Sequence, residues 1–166
     1  MIYRSQKTNT KYHQYFFPEI KEFLNKQQLK DIKNEINIED IDQFENKREN
    51  GENEHYICEL IRNDSIDEFI IFINQSNIRL SQTIEPSIFE TNILLMKNSP
   101  SLIEYAAFYG SIKIFQFLKF NDVQMNPSLW LYAIHSKTPE MIHLLEDNII
   151  EPPNGSYNEC LCESIK

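Results

Sequence analysis

From Phe16 onward, apolar residues recur three and four positions apart, the spacing that lines one face of a helix. In FFPEIKEFLNKQQLKDI the stripe runs through Phe16, Ile20, Phe23 and Leu24, with Pro18 and Glu19 in the places a first helical turn favours. The pattern fades beyond Ile32. NEINIEDIDQFENKRENGENE carries many acids and Gly51, and it reads as a short helix or turn followed by an exposed acidic loop, the best linker candidate in the chain. Order returns at HYICELIRNDSIDEFIIFINQSN. There Ile57, Leu60 and Ile61, then Ile66, Phe69, Ile70 and Ile73, predict two short helices joined by a tight turn at Asp64-Ser65.

Three phrases then mark fresh helices: Pro86-Ser87-Ile88, Pro100-Ser101-Leu102 and Pro127-Ser128-Leu129. Serine can cap the free amides of a first turn, and the proline before it excludes helix upstream. Thr138-Pro139-Glu140 predicts a further start, and Pro152-Pro153-Asn154-Gly155 separates that helix from SYNECLCESIK.

Within this series one pattern is written twice. LIEYAAFYGSIKIFQFLKFN (102–121) and LWLYAIHSKTPEMIHLLEDN (129–148) align without a gap at an offset of 27, sharing Leu102/Leu129, Tyr105/Tyr132, Ala106/Ala133, Leu118/Leu145 and Asn121/Asn148. Each copy predicts a helix with small residues, a tight turn and a second helix with bulky apolar residues. Neither copy could bury its own apolar face, so stacking is implied. NDSIDEF in the earlier stretch parallels YGSIKIF and makes a third, divergent copy.

Composition sharpens the class. Only 3 glycines and the single valine Val123 stand among 166 residues, a poor supply for a sandwich or barrel. The three cysteines, Cys58, Cys160 and Cys162, have no disulfide-framework spacing and fit reduced thiols in a cytoplasmic setting. The N-terminal residues have no signal-type apolar run, and FIIFI (69–73) is far too short to span a membrane. Net charge is −9; residues 31–68 hold 13 acids against 4 bases, and the rest of the chain balances. An acidic surface disfavours nucleic acid as a partner.

Candidate chemistry is sparse. Cys160 and Cys162 with His135 and His143 suggest zinc or a Cys–His nucleophile, but C-x-C is tighter than structural zinc spacings. No phosphate-cradling glycine loop, nucleophile elbow or zinc-protease string occurs. Paired carboxylates such as Glu39-Asp40 sit in the acidic stretch without an apolar pocket to raise a pKa.

The stretch SLIEYAAFYGSIKIFQFLK (101–119) resembles the ankyrin-repeat pattern. Ser101 stands for its threonine, Ile103 for its leucine, Ala106-Ala107 for its paired alanines, Gly110 for its turn glycine and Phe117-Leu118 for its leucine pair. The second copy resembles it through Ser128, Trp130, Ala133, Glu140 and Leu144-Leu145, and departs at Leu131 and Lys137, where the family has histidine and glycine. The phrases EIKEFL, IRNDSIDEF, SIFETN, SLWLYAIH and HLLE extend the likeness to a divergent ankyrin-type family of trichomonad protist proteins with an N-terminal domain of unknown function.

The resemblance implies an all-α, ankyrin-like α-solenoid of stacked short antiparallel helix pairs. Residues 1–55 would form an N-terminal helical cap with an acidic loop, and residues 56–166 the repeats, the last incomplete with Ser164-Ile165 opposite Ala133-Ile134. It further implies a non-catalytic protein–protein interaction module without cofactor or metal. Phe108, Tyr109, His135 and Ser136 would line one concave partner-binding strip. Two other readings stay open: a hydrolase or transferase domain using Cys160 or His135, and a structural fragment that self-associates through its open C-terminal repeat.

Overall fold

The computed structural model describes residues 15–27, 29–30 and 41–165, apart from the side chains of residues 41 and 42. Among these residues the chain is helical with no strand; one isolated antiparallel bridge joins Thr83 to Ser101. No helix among them is long and apolar enough to cross a membrane. Contacts group the chain into two compact units: Met1–Glu54 with Pro86–Asn92, and His55–Glu85 with Ile93–Lys166.

In the first unit, α1 (Phe17–Ile20) tightens into a 3-10 turn at Lys21–Phe23 and ends at Leu24, whose ψ of 140° is extended. The sequence predicts one continuous helix here with Phe23 on its apolar stripe. Three residues per turn instead of 3.6 throws the stripe out of register, so Phe17 is buried while Phe23 faces solvent. The stretch read as a short helix or turn followed by an exposed acidic loop contains α2 (Ile41–Asn50), with Phe44 buried against Phe89 at 5.0 Å. Gly51 (φ +66°) closes α2, and its carbonyl accepts hydrogen bonds from Thr91 N (3.0 Å) and Thr91 Oγ1 (2.9 Å). Arg48 ties α2 to α1 through Glu19 (2.6 Å) and the Tyr15 carbonyl (3.2 Å); its hydrogen bond holds the Glu19 carboxyl below the usual range. Residues 31–40, which include Glu39-Asp40, lie outside the described residues. Pro86-Ser87-Ile88 starts no helix. Ser87 Oγ accepts from Phe89 N in a local turn and donates to Glu54, so the phrase anchors a loop.

The second unit is built from helix pairs: α3 (Tyr56–Arg62) with α4 (Ile66–Ser76), α6 (Leu102–Tyr109) with α7 (Ile112–Phe120), and α8 (Leu129–Ser136) with α9 (Pro139–Asp147). A short α5 (Ile93–Asn98) precedes α6, and α10 (Asn158–Ser164) follows α9. The first helices of the pairs pack in series, α3 on α6, α6 on α8 and α8 on α10.

Four of the five pairs of identities shared by the two copies have a local structural reason. Leu102, Leu129, Ala106, Ala133, Leu118 and Leu145 are fully buried or nearly so, and the alanines let α6 and α8 lie close to their neighbours. Asn121 Nδ2 and Asn148 Nδ2 donate to the carbonyls of Phe117 (2.8 Å) and Leu144 (2.6 Å), covering the last turns of α7 and α9. After each, the chain turns back through a left-handed residue, Asp122 or Ile149, and Val123 N and Ile150 N bond to the carbonyls of Leu118 and Leu145. The turns inside the pairs repeat too: Asp64, Gly110 and Lys137 all have positive φ.

Two capping expectations need correction. Only Ser101 caps as the sequence predicts, in a capping box with Glu104. Ser128 has helical backbone angles and donates instead to Glu104 Oε1 (2.6 Å), so one carboxylate holds the starts of α6 and α8. Thr138 Oγ1 donates back to the Ser136 carbonyl (3.1 Å), leaving Pro139 to open α9.

Ile149 is a β-branched residue in the left-handed region (φ 54°) and 87% exposed, so its side chain returns no packing for the backbone strain. Ile149→Asn is expected to stabilise the protein by about 1 kcal/mol and raise the melting temperature by about 2–4 °C, read by circular dichroism.

Candidate functional site

The residues the resemblance singles out lie at the C-terminal ends of α6 and α8, just before the turns at Gly110 and Lys137. The helical register there turns Phe108 of α6 toward His135 of α8. Their rings stack at 4.8 Å between centroids and 25° between planes. Tyr109 meets Phe108 edge-on at 5.0 Å and Tyr105 at 4.8 Å. Phe108 and Tyr109 are half-buried and pack on the core below, so each is both a packing residue and a partly open ring.

Ser136 stands apart from this row. Its hydroxyl donates to the Ala133 carbonyl (2.7 Å) and accepts from Thr138 N (3.1 Å), so it is engaged in shaping the α8–α9 turn.

Two side chains missed by sequence reasoning, Arg62 and Glu163, extend the row, and a third, Tyr105, supports it from the core. Arg62, at the end of α3, donates to Tyr105 Oη (3.0 Å) and lies 5.9 Å from the Tyr109 ring centroid. Glu163 of α10 approaches His135 Nε2 at 3.0 Å, with side chains 15% and 21% exposed. Tyr105 is buried, and burial pushes its phenol well above the ordinary value, keeping it neutral as an acceptor for Arg62. The first was legible: matching NDSIDEF to YGSIKIF sets Arg62 opposite Phe108. Glu163 was hidden by the alignment of Ser164-Ile165 with Ala133-Ile134. In the structure Ser164 and Ile165 are exposed, and Cys160 takes the buried place on α10.

Four helices thus contribute to one row, Arg62, Tyr109, Phe108, His135 and Glu163, with a guanidinium at one end and a carboxylate at the other. Next to the carboxylate end, Leu131, Asn158, Glu159, Cys162 and Glu163 line a shallow cleft of about 340 Å³. Such a row offers ring faces for stacking and a polar rim for hydrogen bonds.

The Cys160 thiol is buried, and desolvation, with Glu159 adding to it, raises its pKa. That is the reverse of the thiolate activation a nucleophile needs. His143 is on the exposed side of α9, 3.1 Å from Glu146 Oε2. Among the described residues no group of three His, Cys, Asp or Glu side chains is placed to hold a metal ion. Tyr132, on the buried side of α8, has its phenol pushed up to about 12, first by burial and then by the Glu104 charge.

Comparison of the chain with protein-family models, with curated proteins and with solved structures gave no match.

Proposed function

We propose that this chain is a non-catalytic protein–protein interaction module, an ankyrin-like stack of helix pairs that receives its partner along the row from Arg62 to Glu163. The observation that carries this reading is the stack of Phe108 on His135 at 4.8 Å, which joins the half-buried rings of two successive repeats into one surface. Partly open aromatic rings on a rigid scaffold anchor partners at little cost in side-chain entropy. The repetition of turn geometry at Asp64, Gly110 and Lys137 supports the repeat architecture behind it. Phe108, Tyr109 and His135 would make contact, while Ser136 would shape the turn beneath them. An enzyme built on Cys160 or His135 is the weaker reading, given the buried thiol and a ring already engaged by Phe108 and Glu163.

The test is capture of a partner by the tagged protein beside a Phe108→Ala/Tyr109→Ala variant. The two must be matched in helicity by circular dichroism, and compared at a temperature well below both melting transitions, because these rings also pack on the core. The parent is expected to retain a specific protein that the variant loses by tenfold or more. Equal recovery by both would remove the row as a recognition surface.

A further inference from the structure

Asparagine followed by glycine occurs twice, at Asn50-Gly51 and at Asn154-Gly155. In such a dipeptide the glycine amide nitrogen can attack the asparagine side-chain carbon, because no Cβ shields the nitrogen. The reaction asks two things of the fold: room for a five-membered ring beside the glycine, and a peptide that can rotate about the asparagine ψ angle to bring nitrogen and carbon together. The two sites differ in both.

Asn50 is the last residue of α2, and Gly51 is held firmly. Its N–H donates to the Lys47 carbonyl (3.2 Å), and its carbonyl accepts from Thr91 N (3.0 Å) and Thr91 Oγ1 (2.9 Å). The space a Cβ would take at Gly51 is already occupied, with Thr91 Oγ1 2.8 Å away. Asn154 stands instead in the short 3-10 turn Pro153–Gly155, and both it and Gly155 are exposed. A Cβ at Gly155 would meet nothing within 4 Å. Inside this turn Asn154 is left-handed (φ 56°, ψ 24°), which asparagine tolerates. The turn's bonds are local, Gly155 N to the Pro152 carbonyl (3.0 Å) and Ser156 N to the Pro153 carbonyl (3.1 Å), and Asn154 Nδ2 donates to the exposed Glu159 Oε1 (2.9 Å). A segment this short, exposed and locally bonded opens at little cost, whereas rotating the Gly51 peptide breaks its bonds to Thr91.

We propose that Asn154 is a modification site, converted in the folded protein to aspartate and isoaspartate by attack of the Gly155 nitrogen. The Gly155 N–H gives its proton to water, and the nitrogen bonds to Asn154 Cγ. The Cγ–Nδ2 bond breaks, and the amide leaves as ammonia after taking up a proton. Water then opens the cyclic imide at either carbonyl. Opening at Cγ leaves aspartate; opening at the backbone carbonyl leaves isoaspartate, which adds a carbon to the main chain. Either product sets a carboxylate where an amide donated to Glu159, so like charges meet at the start of α10, the helix that carries Glu163. This chemistry is independent of the row at Phe108 and His135, and either can fail alone.

Folded protein is held at mildly alkaline pH and physiological temperature for several weeks, sampled, and digested in acid. Peptide mass spectrometry reads the exchange of amide for acid, and fragmentation of the peptide backbone separates isoaspartate from aspartate. Asn154 should convert at least about tenfold faster than Asn50, with both products present. In concentrated urea, where neither turn is folded, the two rates should converge. Asn154→Gln should abolish conversion at that position and leave the rate at Asn50 unchanged. Retention of the Asn154 amide, aspartate without isoaspartate, equal rates in the folded protein, or a difference that survives in urea would each overturn the proposal.

Discussion

Phe115→Ala is expected to lower the stability of the second unit by about 3–5 kcal/mol, seen as a lower urea midpoint with an unchanged slope. Phe115 is completely buried on α7, in the core cluster it shares with Phe69, Ile114 and Leu118. Its removal loses the transfer free energy of the ring and leaves a cavity that helices on either side cannot close without moving their own contacts. Whole domains are stable by only about 5–15 kcal/mol, so the variant would be near its unfolding threshold at physiological temperature. A loss under about 1 kcal/mol would mean that the packing around α7 is loose enough to collapse onto the gap.

Gly110→Ala is expected to cost about 2–3 kcal/mol from two separable causes. The backbone at Gly110 is left-handed (φ +70°), a conformation that any Cβ makes unfavourable. That Cβ would also fall 2.5 Å from Thr138 Oγ1 and 3.3 Å from Ser136 Cβ, across the join between successive repeats. Adding Thr138→Ala should recover the part due to the hydroxyl and leave the backbone part, so the double-mutant cycle should show a coupling of about 1 kcal/mol. Full additivity would show that Thr138 swings away without cost. The equivalent residue in the next repeat, Lys137, bears the left-handed strain with a side chain in place (φ 53°), which shows that the turn geometry persists without glycine.

The comparison of Gly110 with Lys137 also shows what was legible in the sequence. The repeat could be read at an offset of 27 because the residues that fix it, Leu102, Ala106, Leu118, Asn121 and their counterparts, each perform one local task that admits few substitutes. Helix starts were less legible, since Pro-Ser is a local signal and a distant carboxylate can redirect the serine. Ser128 is drawn to Glu104 and Ser87 to Glu54, and only Ser101, with its own Glu104 three residues on, caps as its phrase predicts. In the candidate site, Phe108 and His135 were placed by the repeat itself. Glu163 joins through a single long side chain whose reach no periodicity reports, and α10 is too diverged to align by identity. The break at Leu24 escaped notice because a stripe of apolar residues does not distinguish 3.6 from three residues per turn over so short a span.

In the second unit, the first turn of α7 has its exposed amides satisfied from outside. Asp64, in the turn between α3 and α4, accepts hydrogen bonds from Ile114 N at Oδ1 (3.0 Å) and Lys113 N at Oδ2 (3.1 Å). The Ser111 hydroxyl donates in return to the carbonyl of Ile61. The stabilising group therefore comes from residues that leave the ribosome about fifty positions ahead of the helix they serve. A nascent chain that has already formed α3 and α4 presents the carboxylate when α7 emerges, so synthesis in the natural direction hands α7 its cap, whereas a circularly permuted chain made from α6 onward would have to wait for it.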